Sequence, residues 1–221
     1  MASVLITGAN RGIGLALARR FAGRGDQVIA VCRQSSPELQ QLKNVRVESD
    51  VDVTSDRAVA ALAGKVGARS LDLLVLNAGI LRGDGLDSVE LKDVQEQLEV
   101  NAVAPLRVAL ALRAALKPGA KIATITSRMG SIGDNGSGGY YGYRMSKAAM
   151  NAMAMSLSRD LKPANISVAV LHPGMVKTEM TGGHGNLDAD ESARLLIERI
   201  DALTPETSGT FWHASGQVLP W

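Results

Sequence analysis

A single doubly wound α/β domain spanning residues 1–221 is the fold class the sequence predicts, and three observations predict it. Short apolar runs alternate along the whole chain with longer helical patterns. The first apolar run leads directly into a glycine-rich turn and then an amphipathic helix. No internal repeat, linker or low-complexity segment divides the chain. Alternation of this kind marks repeated βαβ units, whose right-handed crossovers give a parallel sheet with helices on both faces.

Taken in order, Val4–Ile6 reads as the first strand, followed by a helix with Ile13, Leu17 and Phe21 on one face and Gly23–Gly25 as its stop. Val28–Cys32 and Val45–Val47 are the second and third strands. Asp56–Val66 is a helix entered through Thr54 or Ser55 as cap. Leu71–Leu76 is the fourth strand. The spacing then predicts a helix from Leu91 through Leu98 that resumes as a long segment to Leu116, where Lys117-Pro118-Gly119 ends it. Ile122–Thr126 is strand five, residues 129–143 a loop, and Arg144–Leu161 a helix ended near Pro163. Ile166–Leu171, a helix over Asp190–Leu203 and a last strand near Thr210–Trp212 complete the chain.

Composition excludes several classes. Hydrophobic residues make up 46% and charged ones 21%, enough to bury a core. Two Trp, three Tyr and two Phe are too few for a single-strand stacking platform, and a net charge of +2 is too balanced for a nucleic-acid backbone binder. One cysteine forbids an internal disulfide, and three scattered histidines argue against a metal site. With no secretory or membrane-spanning segment in view, a soluble cytoplasmic protein is expected. Cys32 reads as a small buried hydrophobe.

The first βα turn is Thr7-Gly8-Ala9-Asn10-Arg11-Gly12-Ile13-Gly14. Glycines there let the backbone approach a pyrophosphate, which the following helix N-terminus favours electrostatically. A tight βα turn needs glycine in any case, so it is the strand-before, helix-after context that points to a dinucleotide. Tyr143 and Lys147 stand four residues apart, on one helix face. A nearby ammonium, together with a nicotinamide cation, favours phenolate, lowering a phenol pKa of ordinarily about 10 toward proton transfer near neutral pH. Tyr140 and Tyr141 have Arg144 and Met145 at that spacing instead. Ser127 ends strand five, where open α/β sheets bind ligands, so its hydroxyl can orient a carbonyl. Ser131 is the competing serine, deeper in the loop, and Thr126 would point to the opposite sheet face. Asn101 sits in a helical pattern where asparagine is a mediocre former, and Pro105 makes a kink there plausible.

Together, Thr-Gly-x3-Gly-x-Gly, Asn77-Ala78-Gly79, Asn101, Ser127, Tyr143-x3-Lys147 and Pro173-Gly174 resemble the short-chain dehydrogenase/reductase family over residues 7–178. Ser127–Asn135 and Gly138–Arg144 resemble its C-factor (C-signal) and sniffer carbonyl-reductase branch. The resemblance implies catalytic roles for Asn101, Ser127, Tyr143 and Lys147, with Asn101 holding a water that links the lysine to solvent. It implies cofactor contacts from Gly8, Asn10, Arg11, Gly12, Ile13, Gly14, Asn77, Ala78, Gly79, Tyr143, Lys147, Pro173, Gly174, Val176 and Thr178, and at the adenine from Asp52 and Val53, with Asp50 an alternative. It also implies a homodimer or homotetramer.

Cofactor choice is read from the end of strand two. An acid there would bind a ribose 2′-hydroxyl, whereas arginine accommodates a 2′-phosphate. The strand ends Val31-Cys32-Arg33 with no acid, and Arg11 supplies a second cation, so NADP(H) is expected unless both are merely solvated surface arginines. His172 reads as a packed strand-end residue. Ala148, Met150, Ala152 and Met155 read as a core face, and the brief glycine-rich stretch 179–190 as an open pocket edge. The expected function is NADPH-dependent reduction of a small ketone, aldehyde or quinone, with no metal, membrane or nucleic acid. The alternative is a dinucleotide-binding signalling protein, and an epimerase or dehydratase is disfavoured by the short C-terminal part.

Overall fold

The computed structural model describes all 221 residues. Seven strands form one parallel sheet in the order β3-β2-β1-β4-β5-β6-β7: β1 Ser3–Thr7, β2 Gln27–Val31, β3 Val45–Glu48, β4 Leu71–Leu76, β5 Leu116–Ile125, β6 Ser167–His172 and β7 Phe211–His213. The helices are α1 Gly12–Gly23, α2 Pro37–Gln40, α3 Asp56–Val66, α4 Leu91–Leu98, α5 Ala104–Leu112, α6 Tyr141–Asp160 and α7 Ala189–Asp201. None is long and apolar enough to cross a membrane.

Strand alternation builds two cores. Leu5, Ile29, Leu74 and Ile122 face one way and pack against α3, α5 and α6, while Val4, Ile6, Val28 and Val75 face the other, against α1, α2 and α7. Local chemistry sets the ends. Ser36 and Ser55 accept from the N–H of Leu39 and Ala58, and Asp188 accepts from Glu191, so each opens its helix with a side-chain cap. Ser55, not Thr54, is therefore the α3 cap.

Two expectations are corrected. The helix expected to reach Leu116 runs as α5 to Leu112 and as a 3-10 turn to Ala115, but β5 begins at Leu116, so Lys117-Pro118-Gly119 lies inside a strand. Tertiary contacts overrule the local stop signal. Leu116 pairs with Leu71, Lys117 Nζ binds the Asp72 carboxylate at 2.8 and 2.9 Å, and Gly119 (φ +83) donates to Asn165 O. A register irregularity between Leu71 and Leu73 absorbs the proline. The second correction concerns α6, which starts at Tyr141 rather than Arg144. Its inner face is Tyr143, Ser146, Lys147, Met150, Ala154 and Leu157, so of the four residues expected to form a core stripe only Met150 is fully buried.

Between α4 and α5, Glu99–Val103 form one wide π turn. The kink expected near Asn101 takes this form, with Pro105 following inside the first turn of α5.

Candidate active site

Strand order reverses between β1 and β4, and the residues leaving these strands build one wall of a crevice at the carboxyl edge of the sheet. The Asn77 amide braces it, donating to Thr7 O at 2.9 Å and Gly8 O at 3.1 Å. Thr7 Oγ1 accepts from the N–H of Asn77 (3.1 Å) and Ala78 (3.2 Å). Gly8 (φ +67) comes so close to this wall that a Cβ would stand 2.9 Å from Ala78 Cα. Helix α1 opens at Gly12 with no side-chain cap and no acidic residue in its first turn. Its N–H groups and positive dipole end are thus free for an anion, with Asn10 and Ile13 half-buried beside them.

Beside this wall, Arg33 is exposed just past the end of β2. Asp50 N donates to Arg33 O and Val51 N to Cys32 O, which brings 50–53 alongside. Asp52 is held below the usual carboxylate range, first by bonds from the Thr54 N–H and hydroxyl and further by Arg33 and Arg107. Asp50 is exposed and left-handed (φ 61). Val53 is partly buried against the core. Arg11 is not free: it forms an ion pair with Glu179, which joins the glycine turn to the segment after β6.

Ser127, Tyr143 and Lys147 lie together where β5 meets α6. Ser127 Oγ accepts from Met129 N at 3.1 Å. The Lys147 ammonium stands 5.7 Å from the Tyr143 ring centre and donates to Ile125 O at 3.1 Å. Burial pushes the Tyr143 phenol up to about 12, with the Ser127 hydroxyl acting in the opposite sense, and pushes Lys147 down to about 8. Burial of the phenol thus works against the depressed pKa expected from the lysine together with a nicotinamide cation. Ser131 spends its hydroxyl elsewhere, donating to Trp221 O and accepting from Asp134 N.

Asn101 is fully buried. Its Oδ1 accepts from Ile80 N at 2.8 Å, and Nδ2 donates to Ile80 O at 2.8 Å and Ser146 Oγ at 3.0 Å. Both amide hydrogens thus clamp the exit of β4 against α6. Gly79 is the adjacent residue, where a Cβ would come within 3.0 Å of Asn101 Oδ1 and 3.7 Å of Lys147 Nζ.

Opposite, Pro173 O accepts from Ser192 Oγ, and Gly174 (φ +87) turns where a Cβ would strike Leu187 at 2.8 Å. Val176 is buried and bridged to Leu187, and the methyl of Thr178 would lie 3.4 Å from a Cβ on Gly12. Both sides of the crevice thus meet over the start of α1.

His172, just before this turn, packs edge-on to His213 with ring centres 5.1 Å apart. Burial first, then His213 and Arg128, push it down to about 3, against the opposing pull of Asp134. Below about pH 6.5 the unfolded chain takes up a proton that the native chain refuses until about pH 3. Native stability is therefore lost as the pH falls through that window, by at most ~1.4 kcal/mol per pH unit from this group. His172→Gln is expected to flatten the pH dependence between pH 4 and 6 by about 1 kcal/mol per unit in urea unfolding. An unchanged slope would mean that His172 titrates as an exposed histidine.

Some site residues have no sequence signature. A Cβ on Gly130 would stand 2.7 Å from the Lys147 carbonyl carbon, and one on Gly142 2.5 Å from Gln97 Nε2. Gln97, fully buried, also accepts the N–H of Arg82 at 2.8 Å. Only the fold brings these backbones together.

A doubly wound domain with a braced glycine turn at its switch point and a buried Ser-Tyr-Lys cluster where β5 meets α6 defines a dehydrogenase class, and the comparison with known proteins agrees. The chain belongs to the short chain dehydrogenase family, whose profile matches residues 2–187. It is 41% identical over 227 residues to 1-hydroxy-2-glutathionyl-2-methyl-3-butene dehydrogenase of Rhodococcus sp. (strain AD45), covering 100% of both chains. It is 42% identical over 164 residues to C-signal of Myxococcus xanthus, covering 73% of this chain and 99% of that one. Among solved structures, the carbonyl reductase Sniffer of D. melanogaster superposes with a TM-score of 0.92 at 32% identity, covering 100% of both chains. The NADPH-bound carbonyl reductase from chicken fatty liver gives 0.92 at 32% identity, covering 100% of this chain and 99% of that one. The chain is thus an oxidoreductase of this family.

Proposed function

We propose that the protein is an NADPH-dependent carbonyl reductase that converts a small ketone, aldehyde or quinone to an alcohol. The observation that carries the reading is a buried phenol, protonated at neutral pH, beside the Ser127 hydroxyl and one helical turn from a buried lysine. The nicotinamide supplies a hydride to the carbonyl carbon when bound. Ser127 donates a hydrogen bond to the carbonyl oxygen and orients it. Tyr143 gives its hydroxyl proton to that oxygen as the carbon–oxygen double bond becomes single, which yields a neutral alcohol. Lys147 stabilises, by its positive charge, the phenolate left when that proton departs, and would hold the cofactor ribose. Asn101 keeps the β4 exit and α6 in register. The free N–H groups of α1 and the contacts from Gly8, Asn10, Gly12, Ile13, Gly14, Asn77, Ala78, Gly79, Pro173, Gly174, Val176 and Thr178 hold the dinucleotide, with Asp52 and Val53 at the adenine.

Arg33 and Arg11 would hold the ribose phosphate, Arg11 by exchanging Glu179 for it. Two charge-assisted contacts, each worth ~1.5–3 kcal/mol, are expected to favour NADPH over NADH at least tenfold. Fluorescence titration of both reduced cofactors checks this, and equal or tighter NADH binding overturns it. Arg33→Asp is expected to weaken NADPH far more than NADH. A panel of carbonyl compounds, followed by loss of NADPH absorbance, tests the reaction itself.

A cytoplasmic homodimer or homotetramer completes the proposal. Its support is the row of exposed apolar side chains Val103, at the end of the π turn, and Leu106 and Leu110 on α5, with Met145 on α6. A second reading, a dinucleotide-binding signalling protein, is favoured by the likeness to C-signal. NADPH binding without turnover of any carbonyl in the panel would select it.

A further inference from the structure

Helix α6 carries Tyr143 and Lys147, yet its N-terminus has no cap of its own. Gly138 (φ 63), Gly139 (φ 62) and Tyr140 (φ 52) run consecutively in the left-handed region, and the Tyr140 side chain bonds nothing at the helix end. The first N–H groups of a helix have no acceptor within it and need one from outside. Here the acceptors come from Asp84, in the loop after β4. Asp84 Oδ1 accepts from Tyr141 N at 2.5 Å, Oδ2 from Gly142 N at 3.3 Å, and its main-chain oxygen from Tyr140 N at 2.9 Å. The next residue along the helix is Tyr143.

The loop that supplies this cap is itself fixed. Asn101 clamps Ile80 through both its N–H and its carbonyl, and Gln97 Oε1 holds Arg82 N. The stretch from Gly79 to Asp84 therefore runs from the cofactor wall to the first turn of α6 with a bond at nearly every second residue. Gly142 is pressed against Gln97 and Val94, so the helix end cannot drift toward α4. A carboxylate here also complements the positive end of the helix dipole.

We propose that Asp84 is a positioning residue for catalysis, a cap supplied from outside the helix that locks the cofactor wall and the Tyr143 helix into one unit. This rests on the reading of Tyr143 as proton donor. It acts through α6 and touches no reacting atom.

The test compares Asp84→Asn, Asp84→Ala and Asp84→Glu in the full chain. The readouts are kcat and KM with a carbonyl active in the panel, NADPH affinity, and amide hydrogen exchange over residues 140–146. Asp84→Ala is expected to lower kcat about ten- to a hundredfold, the scale of an ångström-level misplacement, with KM and NADPH affinity within about threefold. Exchange at Tyr141 and Gly142 is expected to quicken at least about tenfold. Asparagine keeps a short acceptor and should recover most of kcat, whereas glutamate, one methylene longer, should not. Faster exchange with kcat within about twofold of wild type would overturn the positioning role, and unchanged exchange would overturn the cap. Activity retained by glutamate and lost by asparagine would show that charge alone matters, which also overturns it. If Asp84→Ala fails to fold, the asparagine–glutamate comparison still decides. If the wild type reduces no carbonyl, the reading of Tyr143 falls with the catalytic half of this proposal, and exchange still judges the cap.

Discussion

Tyr143→Phe is expected to bind NADPH as the wild type does and to lower carbonyl turnover by ~10²–10⁴-fold. The substitution removes one oxygen, with its bond to Ser127, and keeps a buried ring of the same shape, so the packing of the ring is retained. What it removes is the only proton donor proposed for the developing alkoxide. Lys147→Ala is expected to damage both turnover and cofactor affinity, because the ammonium serves the phenol and the ribose together. The two variants thus separate proton donation from binding. A Tyr143→Phe protein with wild-type turnover would show that another group is the acid.

The largest loss of stability is expected from Gly14→Ala. The new methyl would stand 2.1 Å from Gly8 O and 2.6 Å from the Asn77 amide nitrogen. Neither neighbour is a flexible side-chain tip: one is the backbone of the glycine turn and the other is the brace between β1 and β4. Relief requires α1 to lift from the turn or Asn77 to release Thr7 and Gly8. Overpacking of this kind costs typically ~1–3 kcal/mol and more where backbone must move. About 3 kcal/mol or more is expected by urea unfolding, together with loss of NADPH binding, since the same atoms shape the crevice. Gly23→Ala, in the same helix and with nothing within 4 Å of its Cβ, is the control. It is expected to stabilise by ~0.5–1 kcal/mol through the restricted unfolded chain. Destabilisation by both variants alike would mean that α1 tolerates no side chain for reasons other than the close approach.

The strands and the glycine turn were legible because burial imposes periods that a single segment carries within itself. The Tyr143–Lys147 spacing was legible for the same reason. The start of β5 was not, because Lys117-Pro118-Gly119 is locally a helix terminator and contacts distant in sequence, from Leu71, Asp72 and Asn165, turn it into part of the sheet. The burial of the phenol was not legible, because sequence spacing reports the lysine charge but not the desolvation that opposes a lowered pKa. The partner of Arg11 was invisible for a related reason: Glu179 is 168 residues away in the chain. Which serine, which aspartate and which cap residue the structure uses are questions of a few ångströms. A linear pattern narrows them to two neighbours and goes no further.

The wide turn at Glu99–Val103 has a consequence for how this chain can change. A π turn holds one residue more than an α-helix needs, and each residue of an α-helix advances the phase by about 100°. Removing one residue after Asn101 would let the helix close into regular α form, at the cost of rotating everything before it by that angle relative to α5. Asn101 and Gln97 would then swing off Ile80 and Arg82 together, although neither had been altered. Length at this point is therefore as much a part of the site as residue identity. Substitutions along α4 can be absorbed one at a time, whereas a single deletion there would change several contacts at once.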